Sequence, residues 1–262
     1  MTDLLKKVQC FLFDMDGTIY LGDKLLPGAR DFLKGLDERG MPYYFLTNNS
    51  SRSRSDYVKK LEKLGLKTPP EKIFSSGEAT AIYLKKKGSG TRIFLVGTPS
   101  LEQEFNDHGF QLVQENPDYA VLGFDTTLTY EKLRKLCAFA VEGIPYIATH
   151  PDITCPTEDG FIPDIGAMIA LVETSTGRKP DVIIGKPNPP IIEAIVEKTG
   201  FRVDQLAMVG DRLYTDIAMG KTGITTILVL TGETKESDIA SAPHKPDIVV
   251  RNMIELRERY FN

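Results

Sequence analysis

The stretch Cys10-Phe-Leu-Phe-Asp-Met-Asp-Gly-Thr18 decides both the fold class and the first candidate site of this chain. Its apolar residues 10–13 form a continuous run, which is typical of a strand covered on both faces in a parallel α/β sheet. Asp14 and Asp16 follow directly, just beyond the end of that strand. Ligands of open α/β sheets bind at the carboxyl ends of the strands. We therefore expect a functional site that begins at Asp14.

Apolar runs of the same kind alternate with amphipathic helical patterns along the whole chain. The predicted strands lie at 10–13, 43–46, 93–96, 119–122, 146–148, 182–184, 206–209, 226–230 and 247–250. One of the predicted helices begins near Pro27 and ends at Gly40. Alternation of strands and helices indicates parallel sheets with right-handed crossover connections. The fold class is therefore predicted to be α/β.

The composition is that of an ordinary globular protein. The 262 residues include 41% hydrophobic and 26% charged residues, with a net charge of -4. These values exclude a disordered or collagen-like chain, and the lack of a basic excess argues against a nucleic-acid partner.

No apolar run approaches the length of a membrane span, and the first residues lack the apolar segment of a signal peptide. Cys10, Cys137 and Cys155 form no CxxC pair, which favours reduced thiols and a cytoplasmic location.

Several predicted strands end in a polar residue whose chemistry suits phosphate or a metal ion. These residues are Asp14, Thr47, Lys186 and Asp211. A single polar residue after a strand is usually a helix cap. A set of complementary residues at one edge of a sheet favours a shared binding site over unrelated caps.

The pair Asp14 and Asp16 carries the most specific chemistry. Two carboxylates this close repel each other unless a cation is bound, and hard oxygen ligands suit Mg²⁺. A carboxylate can also attack phosphorus and form an aspartyl-phosphate, while a second carboxylate protonates the leaving oxygen and later deprotonates water. Gly17 permits a tight turn after the pair, and Thr18 is expected to brace the loop.

A second acidic pair follows the predicted strand at 206–209. Asp211 stands at the end of that strand and is the expected direct metal ligand. Asp216 lies about one helical turn further on and suits a water-mediated or orienting role. Taken alone, the pair also fits a helix cap and a surface acid.

The remaining polar residues suit phosphate. Lys186 is the cation that would keep an attacking carboxylate ionised and bind phosphoryl oxygens. Thr47, Asn48 and Asn49 offer hydroxyl and amide donors to the same oxygens, and this segment also resembles a helix cap.

Together these residues resemble the haloacid dehalogenase-like (HAD) phosphatase superfamily. Its four signatures occur in order, as DxDGT at 14–18, Thr47, Lys186 and GDRxxxD at 210–216. Longer matches to the NagD-type, or p-nitrophenyl phosphatase, subfamily lie at 46–51, 148–152, 185–189, 210–217 and 228–234. The resemblance runs over residues 8–250, which is nearly the whole chain.

The resemblance implies a Rossmann-like HAD core with a parallel sheet and a large inserted α/β cap domain. It implies Asp14 as the nucleophile, Asp16 as the general acid and base, and Mg²⁺ as the cofactor. The implied Mg²⁺ ligands are Asp14, the carbonyl oxygen of Asp16 and Asp211, and the implied phosphate contacts are Thr47, Asn48 and Lys186. The chain is therefore expected to hydrolyse small phosphate monoesters through an aspartyl-phosphate intermediate.

The spacing of the motifs locates the cap. The segment 49–185 is much longer than one strand–helix unit requires, so it has room for a second domain. The core is expected at 1–78 and 181–262, and the cap at 79–180. A cap can exclude water and contact the leaving group, and its candidate substrate contacts are Asp152 and Cys155, in a stretch at 150–164 predicted to be irregular. The cap surface is also a candidate homodimer interface.

Two alternatives belong to other functional classes. A phospho-accepting signalling module also uses Asp, Mg²⁺, Thr and Lys, but it carries the accepting Asp on a middle strand and needs a much shorter chain. A non-catalytic sugar-phosphate binder would not need Asp16. Within the superfamily, a dehalogenase typically lacks the second Asp, a cation pump needs membrane helices, and a phosphomutase carries its cap between the first two motifs.

The sequence therefore predicts a cytoplasmic, Mg²⁺-dependent phosphatase whose partner is a small phosphorylated metabolite. Neither a nucleic acid nor a membrane is expected as a partner. Sugar phosphates, nucleoside monophosphates, phosphoglycolate, pyridoxal phosphate and p-nitrophenyl phosphate all fit as substrates, and the residues do not choose among them.

Overall fold

The computed structural model describes residues 4–157 and 160–261. The chain forms two units, each with its own internal packing. The first unit comprises Met1–Leu46, Val58–Phe74 and Ile195–Asn262, and the second comprises Thr47–Tyr57 and Ser75–Ala194. Within the described ranges, no helix is long and apolar enough to cross a membrane.

Strands and helices alternate along the chain, as the apolar pattern predicts. The strands are β1 (Cys10–Phe13), β2 (Tyr20–Leu21), β3 (Lys24–Leu25), β4 (Tyr43–Thr47), β5 (Ile73–Ser75), β6 (Arg92–Val96), β7 (Gln111–Leu112), β8 (Tyr119–Leu122), β9 (Tyr146–Ala148), β10 (Thr154–Thr157), β11 (Gly160–Pro163), β12 (Val182–Ile183), β13 (Leu206–Gly210), β14 (Thr225–Val229) and β15 (Ile248–Val250). The α-helices are α1 (Ala29–Glu38), α2 (Arg54–Lys63), α3 (Ser76–Lys87), α4 (Pro99–Asp107), α5 (Tyr130–Val141), α6 (Ile165–Thr176), α7 (Pro189–Thr199), α8 (Glu236–Ile239) and α9 (Met253–Phe261). Short 3-10 helices lie at Leu5–Lys7, Pro70–Lys72, Val203–Gln205 and Ile217–Thr222.

The first unit is built on a sheet whose described strands stand in the order β15-β14-β13-β1-β4-β5. β1 pairs in parallel with β13 on one side and with β4 on the other. The register places Phe13 of β1 opposite Val209 of β13, and the Asp14 N–H donates to the Val209 carbonyl at 2.9 Å. Because parallel neighbours end at the same edge of a sheet, the segments that follow β1 and β13 begin side by side.

Aromatic side chains fill the core of the first unit around β1. Phe11 and Phe13 point to the same face of the strand, are fully buried, and stack with their ring centroids 5.8 Å apart. Phe32 of α1 meets both rings edge-on at 5.7 and 5.9 Å. Tyr260 of α9 packs against Phe11 at 5.0 Å. Such ring pairs add to the stabilisation from apolar burial and hold one face of the central strand against α1 and α9.

The second unit has a parallel sheet of its own, with the order β12-β9-β8-β6-β7 among the described strands. Its core contains Phe94 and Val96 of β6, Tyr146 of β9, and Ile165 and Val172 of α6. The predicted α/β fold with parallel sheets is therefore confirmed.

The second unit differs in extent from the predicted cap. It runs over Ser75–Ala194 instead of 79–180, and it includes Thr47–Tyr57. Hydrogen bonds within the unit attach this added loop, since the hydroxyls of Ser50 and Thr149 lie 2.9 Å apart. The limits of the cap as a domain stay a prediction.

The prediction that the stretch 150–164 is irregular is wrong. β10 and β11 pair antiparallel within it, while Glu158 and Asp159 lie outside the described residues. Both strands are largely exposed. The alternation of apolar and polar residues that indicates a half-buried strand is therefore missing from their sequence.

We expect Phe11→Ala to destabilise the protein by about 3–5 kcal/mol, because it removes a fully buried ring from the aromatic core. Leu21→Ala is the control, since Leu21 is 57% exposed and its truncation should change stability by less than about 0.5 kcal/mol. Urea unfolding measures both values. A loss for Phe11→Ala no larger than that of the control would contradict this description of the core.

Candidate active site

Three aspartates converge at the edge of the sheet of the first unit. Asp14 follows β1, Asp211 follows β13, and Asp216 lies in the turn after Asp211. One oxygen from each carboxylate lies within 4.8 Å of the others. Asp211 and Asp216 are buried, and Asp14 is half-buried. The sequence placed Asp14 and Asp211 at the ends of two strands, and the structure brings them together because those strands are neighbours.

Main-chain N–H groups hold one side of this cluster. Glu233 donates to Asp211 Oδ2 at 2.7 Å, and Arg212 donates to Asp216 Oδ2 at 3.1 Å. Asp211 Oδ1 is buried and has no hydrogen-bond partner among the described residues. A buried carboxylate oxygen without a partner is costly unless a cation binds it. Oδ1 is therefore the Asp211 atom best suited to a metal ion.

The electrostatics of the cluster also favour a cation. Burial, followed by the charges of Asp14 and Asp216, raises the pKa of Asp211 from an ordinary value of 3.8 to about 8. Each of these causes disfavours the ionised carboxylate, and a bound divalent cation opposes all of them. The residues present thus fit a divalent metal ion with hard oxygen ligands.

The turn after β1 requires glycine at position 17. Gly17 has a φ of 84°, and a Cβ there would lie 2.5 Å from Asp211 Oδ2. Its carbonyl accepts a hydrogen bond from Thr231 Oγ1 at 2.7 Å. Thr18, which the sequence analysis expected to brace this loop, has a buried hydroxyl with no partner in the described chain, so that expectation is wrong. Thr231 braces the loop instead.

The side chain of Asp16 has different neighbours. It is about half exposed, at 45%, and its Oδ2 accepts a hydrogen bond from the Tyr20 hydroxyl at 3.3 Å. Lys60 Nζ lies 3.8 Å from Asp16 Oδ1 and 4.0 Å from the centroid of the Tyr20 ring. A carboxylate that is partly solvated and next to a cation and a hydroxyl is able to exchange protons. Tyr20 and Lys60 are not recognisable from sequence, because neither belongs to a local motif.

In the second unit, Asn48 and Lys186 are joined by two hydrogen bonds. The Lys186 N–H donates to Asn48 Oδ1 at 2.7 Å, and Asn48 Nδ2 donates to the Lys186 carbonyl at 3.0 Å. Asn48 Nδ2 also donates to Asp152 Oδ1 at 2.9 Å. All three residues are buried. Asp152, a candidate substrate contact from the sequence, is thus bonded to Asn48, which the sequence predicts as a phosphate contact.

A buried histidine lies behind this group. His150 Nε2 is 3.0 Å from Asp164 Oδ1, and its Nδ1 is 3.2 Å from Thr149 Oγ1 and 3.4 Å from Ser76 Oγ. Ser76 Oγ also donates to the carbonyl of Asn48. His150, Asp152 and Asp164 are all buried, and one ligand atom from each lies within 4.8 Å of the others, a spacing that a metal ion could also bridge. Hydrogen bonds to Thr149, Asn48 and each other explain why these polar side chains are buried here.

The other candidate phosphate ligands form the loop after β4. Thr47 Oγ1 accepts a hydrogen bond from the Asn49 N–H at 3.2 Å. Asn49 Oδ1 accepts from the Ser51 N–H at 2.9 Å and from the Ser51 hydroxyl at 2.7 Å. Asn49 Nδ2 donates to the Sγ of Cys155, in β10, at 4.0 Å. The structure thus brings the predicted phosphate ligands and the predicted cap contacts together in the second unit.

Comparison with known proteins identifies relatives along the whole chain. A haloacid dehalogenase-like hydrolase family model matches residues 11–111, and a HAD-hydrolase-like model matches residues 183–256. The chain is 34% identical to the 5'-nucleotidase YutF of Bacillus subtilis over 252 residues, which covers 96% of this chain and 98% of that protein. It is 34% identical to an acid sugar phosphatase of Staphylococcus aureus over 253 residues, which covers 96% and 97%.

Solved structures of similar proteins agree with these matches. A 4-nitrophenylphosphatase from Thermotoga maritima superposes with a TM-score of 0.95 at 50% identity, covering 99% of this chain and 100% of that one. NagD from Escherichia coli K-12 superposes with a TM-score of 0.88 at 33% identity, covering 95% and 98%. The chain therefore belongs to the haloacid dehalogenase-like hydrolases, and within that family to the NagD-type group of phosphatases.

Proposed function

We propose that the protein is a Mg²⁺-dependent phosphatase that hydrolyses small phosphate monoesters through an aspartyl-phosphate on Asp14. The observation that carries this proposal is the convergence of the carboxylates of Asp14, Asp211 and Asp216. One oxygen of this cluster, Asp211 Oδ1, has no hydrogen-bond partner among the residues that the structure describes. The relatives described as a 5'-nucleotidase, an acid sugar phosphatase and a 4-nitrophenylphosphatase support the monoester class. The same names leave the identity of the physiological monoester open.

Asp14, Asp211 and the main-chain carbonyl of Asp16 are the proposed ligands of Mg²⁺. Bound there, Mg²⁺ would supply positive charge that neutralises the carboxylates and the phosphoryl oxygens. Asp216, whose Oδ2 already accepts the Arg212 N–H, orients the site or acts through water. Asp211 is held by Glu233 through Oδ2, which leaves Oδ1 for the ion.

The residues of this chain carry out two displacements at phosphorus. In the first, an Asp14 oxygen forms a bond to phosphorus, the bond to the ester oxygen breaks, and Asp16 gives its proton to that leaving oxygen. In the second, Asp16 takes a proton from water, the water oxygen attacks phosphorus, and the Asp14 carboxylate leaves. The products are the alcohol and inorganic phosphate, and both aspartates return to their starting states.

Charge and hydrogen bonds to the phosphoryl oxygens are assigned to Lys186, Thr47 and Asn49. Lys186 supplies the positive charge, and the Thr47 hydroxyl and the Asn49 amide supply donors. Contacts to the leaving group remain assigned to the cap, including Cys155 of β10. A homodimer formed through the cap and a cytoplasmic location also remain proposals.

We expect Asp14→Asn to lower turnover of p-nitrophenyl phosphate by at least about 10³-fold, because no other side chain replaces the attacking oxygen. Stability should be unchanged or higher, since one of the mutually repelling carboxylates is neutralised. Steady-state kinetics with Mg²⁺ and a urea titration measure the two effects. Asp23→Asn changes an exposed aspartate in the same unit and serves as the control. Wild-type turnover in Asp14→Asn would rule out covalent catalysis by Asp14.

Asp16→Asn separates the acid from the nucleophile. An alkyl phosphate has a poor leaving group that needs a proton, whereas p-nitrophenolate leaves readily without one. We therefore expect Asp16→Asn to reduce kcat for an alkyl phosphate much more than kcat for p-nitrophenyl phosphate. An equal reduction for both esters would argue against Asp16 as the general acid.

The raised pKa of Asp211 makes the stability of the metal-free protein depend on pH. Between pH 4 and pH 8 the folded state keeps a proton on Asp211 that the unfolded state releases, so the free energy of unfolding falls as the pH rises through this window. We expect the free energy of unfolding of Asp211→Asn to decrease less between pH 4 and pH 8, because asparagine does not titrate. We expect added Mg²⁺ to raise the free energy of unfolding of the wild type near pH 8, because the ion binds the folded state. Urea unfolding at several pH values, with chelator and then with Mg²⁺, measures both effects. The same pH dependence in Asp211→Asn and in the wild type would contradict the expectation.

A further inference from the structure

The side-chain amide of Asn48 has a single possible orientation. A main-chain N–H can only donate, so the Asn48 atom bonded to the Lys186 N–H is Oδ1. A carbonyl and a carboxylate can only accept, so the atom bonded to the Lys186 carbonyl and to Asp152 is Nδ2. The Asn48 side chain therefore binds both the main-chain N–H and the main-chain carbonyl of Lys186. The hydrogen bond to Asp152 fixes the orientation of the Asn48 amide.

Asn48 has no side-chain donor left for a substrate. A primary amide nitrogen carries two hydrogens, and those of Asn48 are donated to the Lys186 carbonyl and to Asp152. From its residue type and its motif, Asn48 is predicted to contact phosphate. The hydrogen bonds in the structure give its side chain a different task, which is to hold Lys186.

Burial makes these contacts costly to lose. Asn48 is 4% exposed, Lys186 is 2% exposed and Asp152 is 8% exposed. A buried donor that loses its acceptor cannot form a hydrogen bond to water instead. Either the surrounding chain shifts to supply another acceptor, or the protein loses the free energy of that hydrogen bond. The loop before Lys186 has no spare space, since a Cβ on Gly185 would lie 2.6 Å from Asn48 Oδ1 and 2.5 Å from His150 Cβ.

Asp152 is itself fixed in the second unit. Its carbonyl accepts the Gly166 N–H at 2.7 Å, at the first turn of α6. Next to it, the Asp164 N–H donates to the Ile153 carbonyl at 2.9 Å, and the Asp164 side chain binds His150. A main-chain hydrogen bond therefore holds Asp152 in the place where its carboxylate accepts the Asn48 amide.

We propose that Asn48 and Asp152 are positioning residues that place Lys186 through its main chain, and that Asp152 does not contact the leaving group. This rests on the proposed role of Lys186 in binding phosphoryl oxygens. Every phosphate monoester presents the same phosphoryl group to Lys186. A displaced Lys186 therefore weakens turnover of all substrates by the same factor, whereas a lost contact to the leaving group changes the ratios between substrates.

The first test measures kcat/KM of Asp152→Ala and Asn48→Asp with p-nitrophenyl phosphate, a sugar phosphate and a nucleoside monophosphate. Asn48→Asp keeps the acceptor for the Lys186 N–H but places oxygen opposite the Lys186 carbonyl and Asp152. We expect losses on the order of 100-fold, a typical effect of misplacing a binding group by about 1 Å, with unchanged ratios among the substrates. A change in those ratios would overturn the assignment of Asp152.

Asp181→Ala is the matched control for these variants. Asp181 lies in the same unit and accepts a main-chain hydrogen bond from Tyr146 at 2.8 Å. Its removal should lower thermal stability but leave kcat/KM near the wild-type value. A loss of kcat/KM like that of Asp152→Ala would mean that destabilisation of the unit, and not the position of Lys186, accounts for the effect.

A double-mutant cycle tests whether Asn48 and Asp152 act through Lys186. Lys186→Met removes the ammonium group and keeps the main-chain N–H and carbonyl. In that background we expect Asp152→Ala and Asn48→Asp to add little further loss, because the group that they place is already absent. Full additivity would show that Asn48 or Asp152 contributes independently, and would overturn the proposal.

A crystal structure of Asp152→Ala tests the positioning without any activity. We expect a turned Asn48 amide and a shifted Lys186 main chain, and an unmoved Lys186 would overturn the proposal. If Lys186→Met keeps wild-type kcat/KM while the crystal structure shows the shift, the proposed role of Lys186 in function fails and the positioning stands. The two failures are therefore distinguishable.

Discussion

The mutual repulsion of three clustered carboxylates, two of them buried and one half-buried, is the constraint on which the candidate site depends. Asp14, Asp211 and Asp216 bring oxygens within 4.8 Å of one another. Hydrogen bonds from the main chain of Glu233 and Arg212 offset part of this cost. Asp211 Oδ1 has no such bond in the described part of the chain, and the pKa of Asp211 is raised in consequence of burial and the neighbouring charges. A divalent cation would offset both the repulsion between the carboxylates and the burial of their charge. The same ion would therefore affect the stability of the first unit and its catalytic chemistry.

The sheet and its loops make this arrangement possible. β1 and β13 are parallel neighbours, so Asp14 and Asp211 leave the sheet at one edge. Gly17 lets the turn after β1 pass close to Asp211 where a side chain would collide with it. The segment after β14 forms hydrogen bonds to the turns that follow β1 and β13. The Thr231 hydroxyl donates to the Gly17 carbonyl, and the Glu233 N–H donates to Asp211.

The strand β1 and the aspartates that follow β1 and β13 are predictable from sequence, because local residue patterns indicate them. The run at 10–13 matches β1 fully, and the acids after β1 and β13 stand out because polar residues follow buried strands. This pattern favours a shared site for Asp14 and Asp211, and the pairing of β1 with β13 in the structure brings them together. The family motifs predict roles for Asp16 and Lys186, which local patterns alone leave ambiguous.

The parts that sequence reasoning missed depend on contacts between distant residues. Thr231 and Gly17 are 214 positions apart, and Asn48 and Lys186 are 138 positions apart. The type of residue at 48 indicates an amide donor, but which acceptors take its hydrogens depends on how the chain folds. The hairpin of β10 and β11 was missed because exposed strands carry no burial pattern.

The central claim is that the carboxylate cluster exists to bind a divalent cation, and a calorimetric titration of the metal-free protein with Mg²⁺ tests it most directly. Titrations at pH 7 in buffers of different ionisation enthalpy measure both binding and the protons released. We expect Mg²⁺ to bind with release of protons, because the ion displaces the proton held by Asp211. Binding should be strongly weakened in Asp211→Asn. Absence of Mg²⁺ binding, or binding that releases no protons and is unchanged in Asp211→Asn, would contradict the account.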